Sequence, residues 1–178
     1  EIRNTKNILL GSILSSDIES ISNGINKFYP DGDNTLNEKK HRLIIVPHEV
    51  DETTLAQIEN QFMKLNLHFV RYSQMENELP NTILIDKVGI LADLYGYAEL
   101  AYVGGGFGAG VHSVIEPAVY GCAVSFGPNI GILDEAVEMY EKGIGIMVKS
   151  GDDFHHFLNL LDKEEKLNQI QINTKQFV

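Results

Sequence analysis

Short apolar runs alternate with amphipathic stretches along nearly the whole chain. Asn7 to Leu10 reads as a strand ending at Gly11-Ser12. Ser15 to Phe28 then carries Ile18, Ile21, Ile25 and Phe28 at the three-to-four spacing of one helix face. Tyr29 to Lys40 gathers Pro, Gly, Asp and Asn and reads as a loop. Arg42 to Val46 is an apolar strand stopped by Pro47, and Asp51 or Thr53 can cap a helix running to about Leu65, its inner face formed by Leu55, Ile58 and Phe62. Strands follow at His68–Arg71, Thr82–Ile85, Leu100–Val103, Ala123–Phe126 and Ile144–Val148. Helices are expected near Ile90–Tyr95, Ser113–Tyr120, Ile132–Tyr140 and Asp152–Leu161. The tail beyond Leu161 is polar and shows no clear terminal cap.

Continuous apolar strands separated by helices imply a mostly parallel sheet covered on both faces, a doubly wound, Rossmann-like α/β fold. Such sheets bind ligands outside the carboxyl ends of their strands. The most informative segment falls there: Val103 is followed by five glycines within Gly104–Gly110 and then by His112-Ser113-Val-Ile-Glu116-Pro117. A glycine-rich loop lets backbone approach a ligand, and the helix after it offers free N–H groups and a partial positive charge suited to phosphate. Ser113 with Glu116 has the spacing of a capping box. Two plainer readings stay open: a flexible surface loop, and Glu116 as no more than a capping partner. Gly104-x-Gly106-x-x-Ala109 also satisfies a dinucleotide pattern, but it follows about the fifth strand rather than the first, which argues against NAD.

Composition narrows the ligand. A length of 178 residues fits one domain, and the formal net charge of −11 shows no basic face for nucleic acid. An anionic ligand would be repelled at long range, so its binding needs local donors. No stretch approaches the ~20 apolar residues of a membrane span, and the N-terminus has no signal-peptide pattern. Glu1 to Lys6 is polar and reads as the start of a fragment or a linker. Cys122, the one cysteine, excludes an internal disulfide and sits in a core-like setting. His48, His112 and the pair His155-His156 lack metal-site spacing; the last pair, and the charged stretch Asp162–Lys166, read as solvated surface.

The runs Ile83 to Tyr95 (ILIDKVGILADLY), Ala98 to Gly106 (AELAYVGGG), His112 to Ala118 (HSVIEPA) and Gly127-Pro128 resemble, in order and spacing, the C-terminal domain of 3-deoxy-D-manno-octulosonic acid (Kdo) transferases. Gly11-Ser12 and Pro47-His48 are in keeping with it, and the resemblance covers about residues 7 to 160. It implies the C-terminal half of a GT-B fold in an inverting glycosyltransferase that moves Kdo from CMP-Kdo to lipid A precursor at the cytoplasmic face of the bacterial inner membrane. By that resemblance Glu116 binds the ribose, N–H groups around His112 and Ser113 receive the phosphate, and Val88-Gly89-Ile90 flanks the cytosine. Ser12, Gly105 and Gly106 line the cleft. Where the family has Pro-Arg-His, this chain has Pro47-His48-Glu49, so a phosphate contact falls to His48, which carries no fixed charge. Arg71 is either a compensating cation or a solvated strand-end residue. Asparagine is common in the family where Ser113 stands.

The resemblance places the general base and the acceptor lipid on an N-terminal domain with no counterpart in these residues. The chain alone is therefore expected to bind donor weakly, to transfer nothing and to behave as a soluble fragment, using no cofactor and no metal. Membrane contact is expected to be peripheral and to belong mainly to the absent half. Three alternatives differ in what they require. Another GT-B enzyme would prefer a UDP-sugar. A non-catalytic nucleotide-binding module would want an acid ending the second strand beside a first-turn glycine fingerprint. A purely structural module leaves the glycines unexplained.

Overall fold

A computed structural model describes residues 4–178. Residues 1–3, half of the polar start expected to be a linker, lie outside the described residues. The strands are β1 (Lys6–Ile13), β2 (His41–Pro47), β3 (Phe69–Arg71), β4 (Thr82–Leu84), β5 (Leu100–Val103), β6 (Ala123–Phe126) and β7 (Ile146–Met147). The helices are α1 (Ile18–Phe28), α2 (Asp33–Lys39), α3 (Glu52–Met63), α4 (Leu91–Leu94), α5 (Ile115–Tyr120), α6 (Asp134–Glu141), α7 (Gly151–Leu158) and α8 (Glu164–Phe177). All strands join one sheet in the order β3-β4-β2-β1-β5-β6-β7, and every pairing is parallel.

The two-residue strand period divides the apolar side chains between two cores. Ile8, Leu10, Leu43, Ile45, Leu100 and Tyr102 face α1, α2, α3 and α7. Leu9, Ile44, Val46, Ala101, Val103, Val124 and Phe126 face α4, α5 and α6. Connections toward β2 therefore run over one face and those toward β6 over the other. The reversal falls between β1 and β5, where the two strands' carboxyl ends part and leave the crevice in which such sheets take ligands.

Two helices were not anticipated. α2 lies inside the expected Tyr29–Lys40 loop; it buries only Leu36, so it has no readable period, and Lys40 in the left-handed region (φ 55°) ends it. α8 occupies the polar tail, its seam formed by Leu167, Ile170, Thr174 and Phe177, with Thr174 folding its hydroxyl back to the Ile170 carbonyl (2.8 Å). The three-four-three spacing was present, but a threonine in the stripe and the surrounding amides masked it. Of the two candidate caps for α3, Asp51 is used, accepting from the Thr54 N–H at 3.0 Å.

His41, 3% exposed at the start of β2, meets the Tyr29 hydroxyl through Nδ1 at 2.9 Å and stacks beside Phe28. Burial first of all pushes its pKa down from 6.5 to about 4. The unfolded chain then takes up this proton before the folded one, so the site contributes stability above about 6.5 that is lost as pH falls toward 4. Urea titrations should show a decline of up to roughly 3 kcal/mol from this group across that interval. His41→Gln, which cannot titrate, should flatten that part of the profile; an unchanged slope would contradict the assignment.

Candidate functional site at the carboxyl ends of β1, β2 and β5

β1 ends in a sharp turn: its register against β2 shifts between Leu10 and Ile13, and Ser12 takes φ 53°. Gly104 comes so close to this turn that a Cβ there would stand 2.1 Å from the Ser12 carbonyl oxygen, and its N–H donates to Gly11 at 2.8 Å. Only glycine permits that approach. Asp17, fully buried just ahead of α1, holds the two segments together. Its carboxylate accepts from the Leu14 N–H (2.9 Å), the Gly105 N–H (3.0 Å) and the Tyr102 hydroxyl (2.9 Å). Charge-assisted bonds in a dry setting are worth more than neutral ones. Burial, and then Asp17, push the Tyr102 phenol far above its ordinary pKa.

The glycine segment is wound rather than loose. Gly108 and Gly110 both donate to the Gly105 carbonyl (2.9 and 3.1 Å), and His112 N–H returns to Gly104 at 3.1 Å. The Gly127–Asn129 loop braces it from outside: Asn129 N–H donates to Gly106 at 2.8 Å, and its side chain donates to the Gly108 carbonyl at 2.8 Å. Gly104, Gly105 and Gly106 are buried, so the flexible-surface-loop reading does not hold.

His48 and His112 meet above this floor. Their rings stack at a centroid distance of 4.4 Å, inclined by 17°. His48 N–H is tied to the Ile13 carbonyl at 3.0 Å, joining β2's end to β1's turn. His112 Nε2 is buried and has no hydrogen-bond partner among the described residues. Desolvation, then the neighbouring His48, lower the His112 pKa, with Asp17 pulling the other way.

Ser113 does not cap α5. The helix begins at Ile115 with Val114 in the cap position and no side-chain bond to it. Val111 and Val114 are drawn into the core, which delays the helix entry past Ser113. The capping box is therefore absent. Glu116 lies in the first turn, exposed, with no hydrogen bond or ion pair among the described residues; burial first, and then the Glu116 charge, raise the Tyr95 phenol's pKa. Pro117 is accommodated in that first turn, and Gly121, left-handed at φ 76°, ends the helix.

Val88-Gly89-Ile90 forms the turn before α4, with Val88 74% exposed and open space around Gly89. The next residue, Leu91, approaches the Gly11 position, so this turn borders the same crevice. Arg71 stands apart. Its strand is the far edge of the sheet, and its guanidinium is held by Glu59 (2.6 Å) and Glu52 (2.8 and 3.1 Å) of α3. Both of its expected roles are corrected: it is neither a cation of the crevice nor a solvated strand end, since α3 carboxylates engage it and its side chain is 18% exposed. Of the surface pair, His156 is exposed while His155 packs its edge on Phe28. Cys122 is fully buried, its thiol pushed up to about 12 by burial first. Sequence reading missed Asp17 and Asn129. Asp17 had a signal, an acid just before the first apolar residue of a helix; Asn129 had none.

A parallel sheet reversing at β1 and β5, with a braced glycine loop at that switch, has the architecture of one Rossmann-like half of a GT-B fold. Within that class, the resemblance to the C-terminal domain of Kdo transferases holds. A 3-deoxy-D-manno-octulosonic acid transferase of Aquifex aeolicus is 30% identical over 145 residues, 80% of this chain and 38% of its own length. A bifunctional glycosyltransferase/methyltransferase of Fusobacterium nucleatum is 34% identical over 142 residues, 76% of this chain and 22% of its own. The chain thus spans well under half the length of these relatives. In fold, it matches the crystal structure of the C-terminal CMP-Kdo binding domain of WaaA from Acinetobacter baumannii with a TM-score of 0.80 at 18% identity, covering 99% of this chain and 90% of that one. No protein-family model matches the chain.

Asp17→Ala would leave the Leu14 and Gly105 N–H groups, which share one carboxylate oxygen, and the Tyr102 hydroxyl without their acceptor. It should cost about 2–4 kcal/mol of stability and loosen amide protection at Gly105. Wild-type stability and protection would show that the carboxylate does not join the two segments.

Proposed function

We propose that the chain is the donor-binding half of an inverting glycosyltransferase that moves Kdo from CMP-Kdo to lipid A precursor. The kinship in sequence to a Kdo transferase over four-fifths of the chain carries this reading. The crevice supports it. In this reading the phosphate lies against His48, His112 and the free N–H groups from Ser113 to Glu116. The Glu116 carboxylate accepts from the ribose hydroxyls, and the Val88–Ile90 turn flanks the base. When the acceptor hydroxyl attacks the anomeric carbon, the bond to CMP breaks and negative charge grows on the leaving phosphate. The imidazoles and amides of this half stabilise it there.

The base that deprotonates the acceptor belongs across the cleft on a second domain, as does contact with the lipid and with the cytoplasmic face of the inner membrane. Among the described residues no helix is long and apolar enough to cross a membrane. A chain of net charge −11 needs such short-range donors to hold an anion at all.

Calorimetry with CMP, UMP and UDP on the 178-residue chain tests the reading. CMP should bind best, and Glu116→Ala should weaken it by about 1.5–3 kcal/mol, the worth of a charge-assisted hydrogen bond. Preference for UDP would favour another GT-B donor, and unchanged CMP affinity in the variant would remove Glu116 from the site. Transfer of Kdo by this chain alone would refute the placing of the base elsewhere.

A further inference from the structure

The His48–His112 stack has a consequence for how an anion is held, resting on the nucleotide reading above. Two imidazolium rings lying face to face at 4.4 Å repel, so the empty pair disfavours the doubly charged state. His112 Nε2 is buried with no hydrogen-bond partner among the described residues. It lies beside Gly105, where a Cβ would stand 3.2 Å from Nε2 and is itself excluded by the Gly110 carbonyl at 2.3 Å. Arg71 supplies no free cation to the pair, because it is bound by Glu52 and Glu59.

At the end of the sheet where the pair sits, the other charged groups include the acids Asp17, Glu49, Asp51 and Glu116 and, as a cation, Lys87 ahead of the Val88–Ile90 turn; Lys6, Lys27 and Arg42 lie at the opposite ends of β1, α1 and β2. Asp17 precedes α1 and is occupied by three donors. Glu49 follows His48, Asp51 caps α3 through Thr54, and Glu116 stands on α5.

We propose that the stacked pair His48 and His112 is a proton-coupled clamp for the phosphate of a nucleoside monophosphate, taking up a proton from solvent as the anion binds. The dianion supplies the acceptor that the buried Nε2 lacks and the negative charge that offsets the repulsion between the rings. The proton comes from buffer and rests on the imidazole pair; no bond to phosphorus is made or broken. Affinity therefore falls as pH rises. The effect is read cleanly above about pH 7, where a phosphate monoester with its second pKa near 6 is already dianionic.

The test is CMP binding to the chain by calorimetry at about pH 7.4 in PIPES and in Tris, buffers of unequal ionisation enthalpy. Roughly half to one proton should enter per CMP bound, and Kd should rise about threefold to tenfold between about pH 7 and 8. His48→Gln and His112→Gln should each abolish the uptake, while His156→Gln should keep it. CMP binding with an enthalpy independent of buffer would overturn the clamp and leave the nucleotide reading standing. Uptake that survives in both variants would overturn it too, and absence of CMP binding would overturn both. The wild-type buffer comparison decides the matter even where a variant fails to fold.

Discussion

One buried carboxylate governs the geometry of the crevice. Asp17 accepts from the turn after β1, from the glycine loop after β5 and from a β5 tyrosine. The sheet alone fixes where β1 and β5 end, because their pairing stops at Gly11 and Val103. It does not fix the path of the backbone beyond. That path would otherwise place exposed peptide groups opposite one another with no acceptor between them. With Asp17 in place, Ser12 can hold its positive φ, Gly104 can pass within contact of it, and His112 is delivered beside His48.

Much of this was legible in the sequence, because fully buried parallel strands are continuous apolar runs. β5 and β6 fall on the residues that the pattern marks, and the glycine loop lies at the carboxyl edge of the sheet as a doubly wound fold requires. The remainder depended on contacts distant in sequence. Ser113 and Glu116 have a capping box's spacing, yet the helix start was set by Val111 and Val114 seeking the core. Arg71 ended a strand as expected, but α3 presents two carboxylates, Glu52 and Glu59, about two turns apart on the face it meets. α8 hid its seam behind Thr174, whose hydroxyl is satisfied within its own helix.

The electrostatics follow from the same arrangement. An acidic chain cannot attract a nucleotide at a distance, and Arg71, the cation expected to compensate at the phosphate, is spent on Glu52 and Glu59. What remains is short in range: backbone amides at a helix entry and two imidazoles whose charge depends on what lies beside them. On the proposed reading, such a site discriminates by fit and by proton balance rather than by field strength, and its anion grip is coupled to pH as a guanidinium's is not.

On the proposed reading, a nucleotide rests in the crevice latched by Asp17. A crystal of the chain soaked with CMP measures this directly. Phosphate density is expected between the His48–His112 stack and the backbone at Ser113, with the ribose at Glu116. Nucleotide density in the apolar trough bordered by Tyr72, Leu79 and Tyr97, on the other side of the α4 turn, would contradict it.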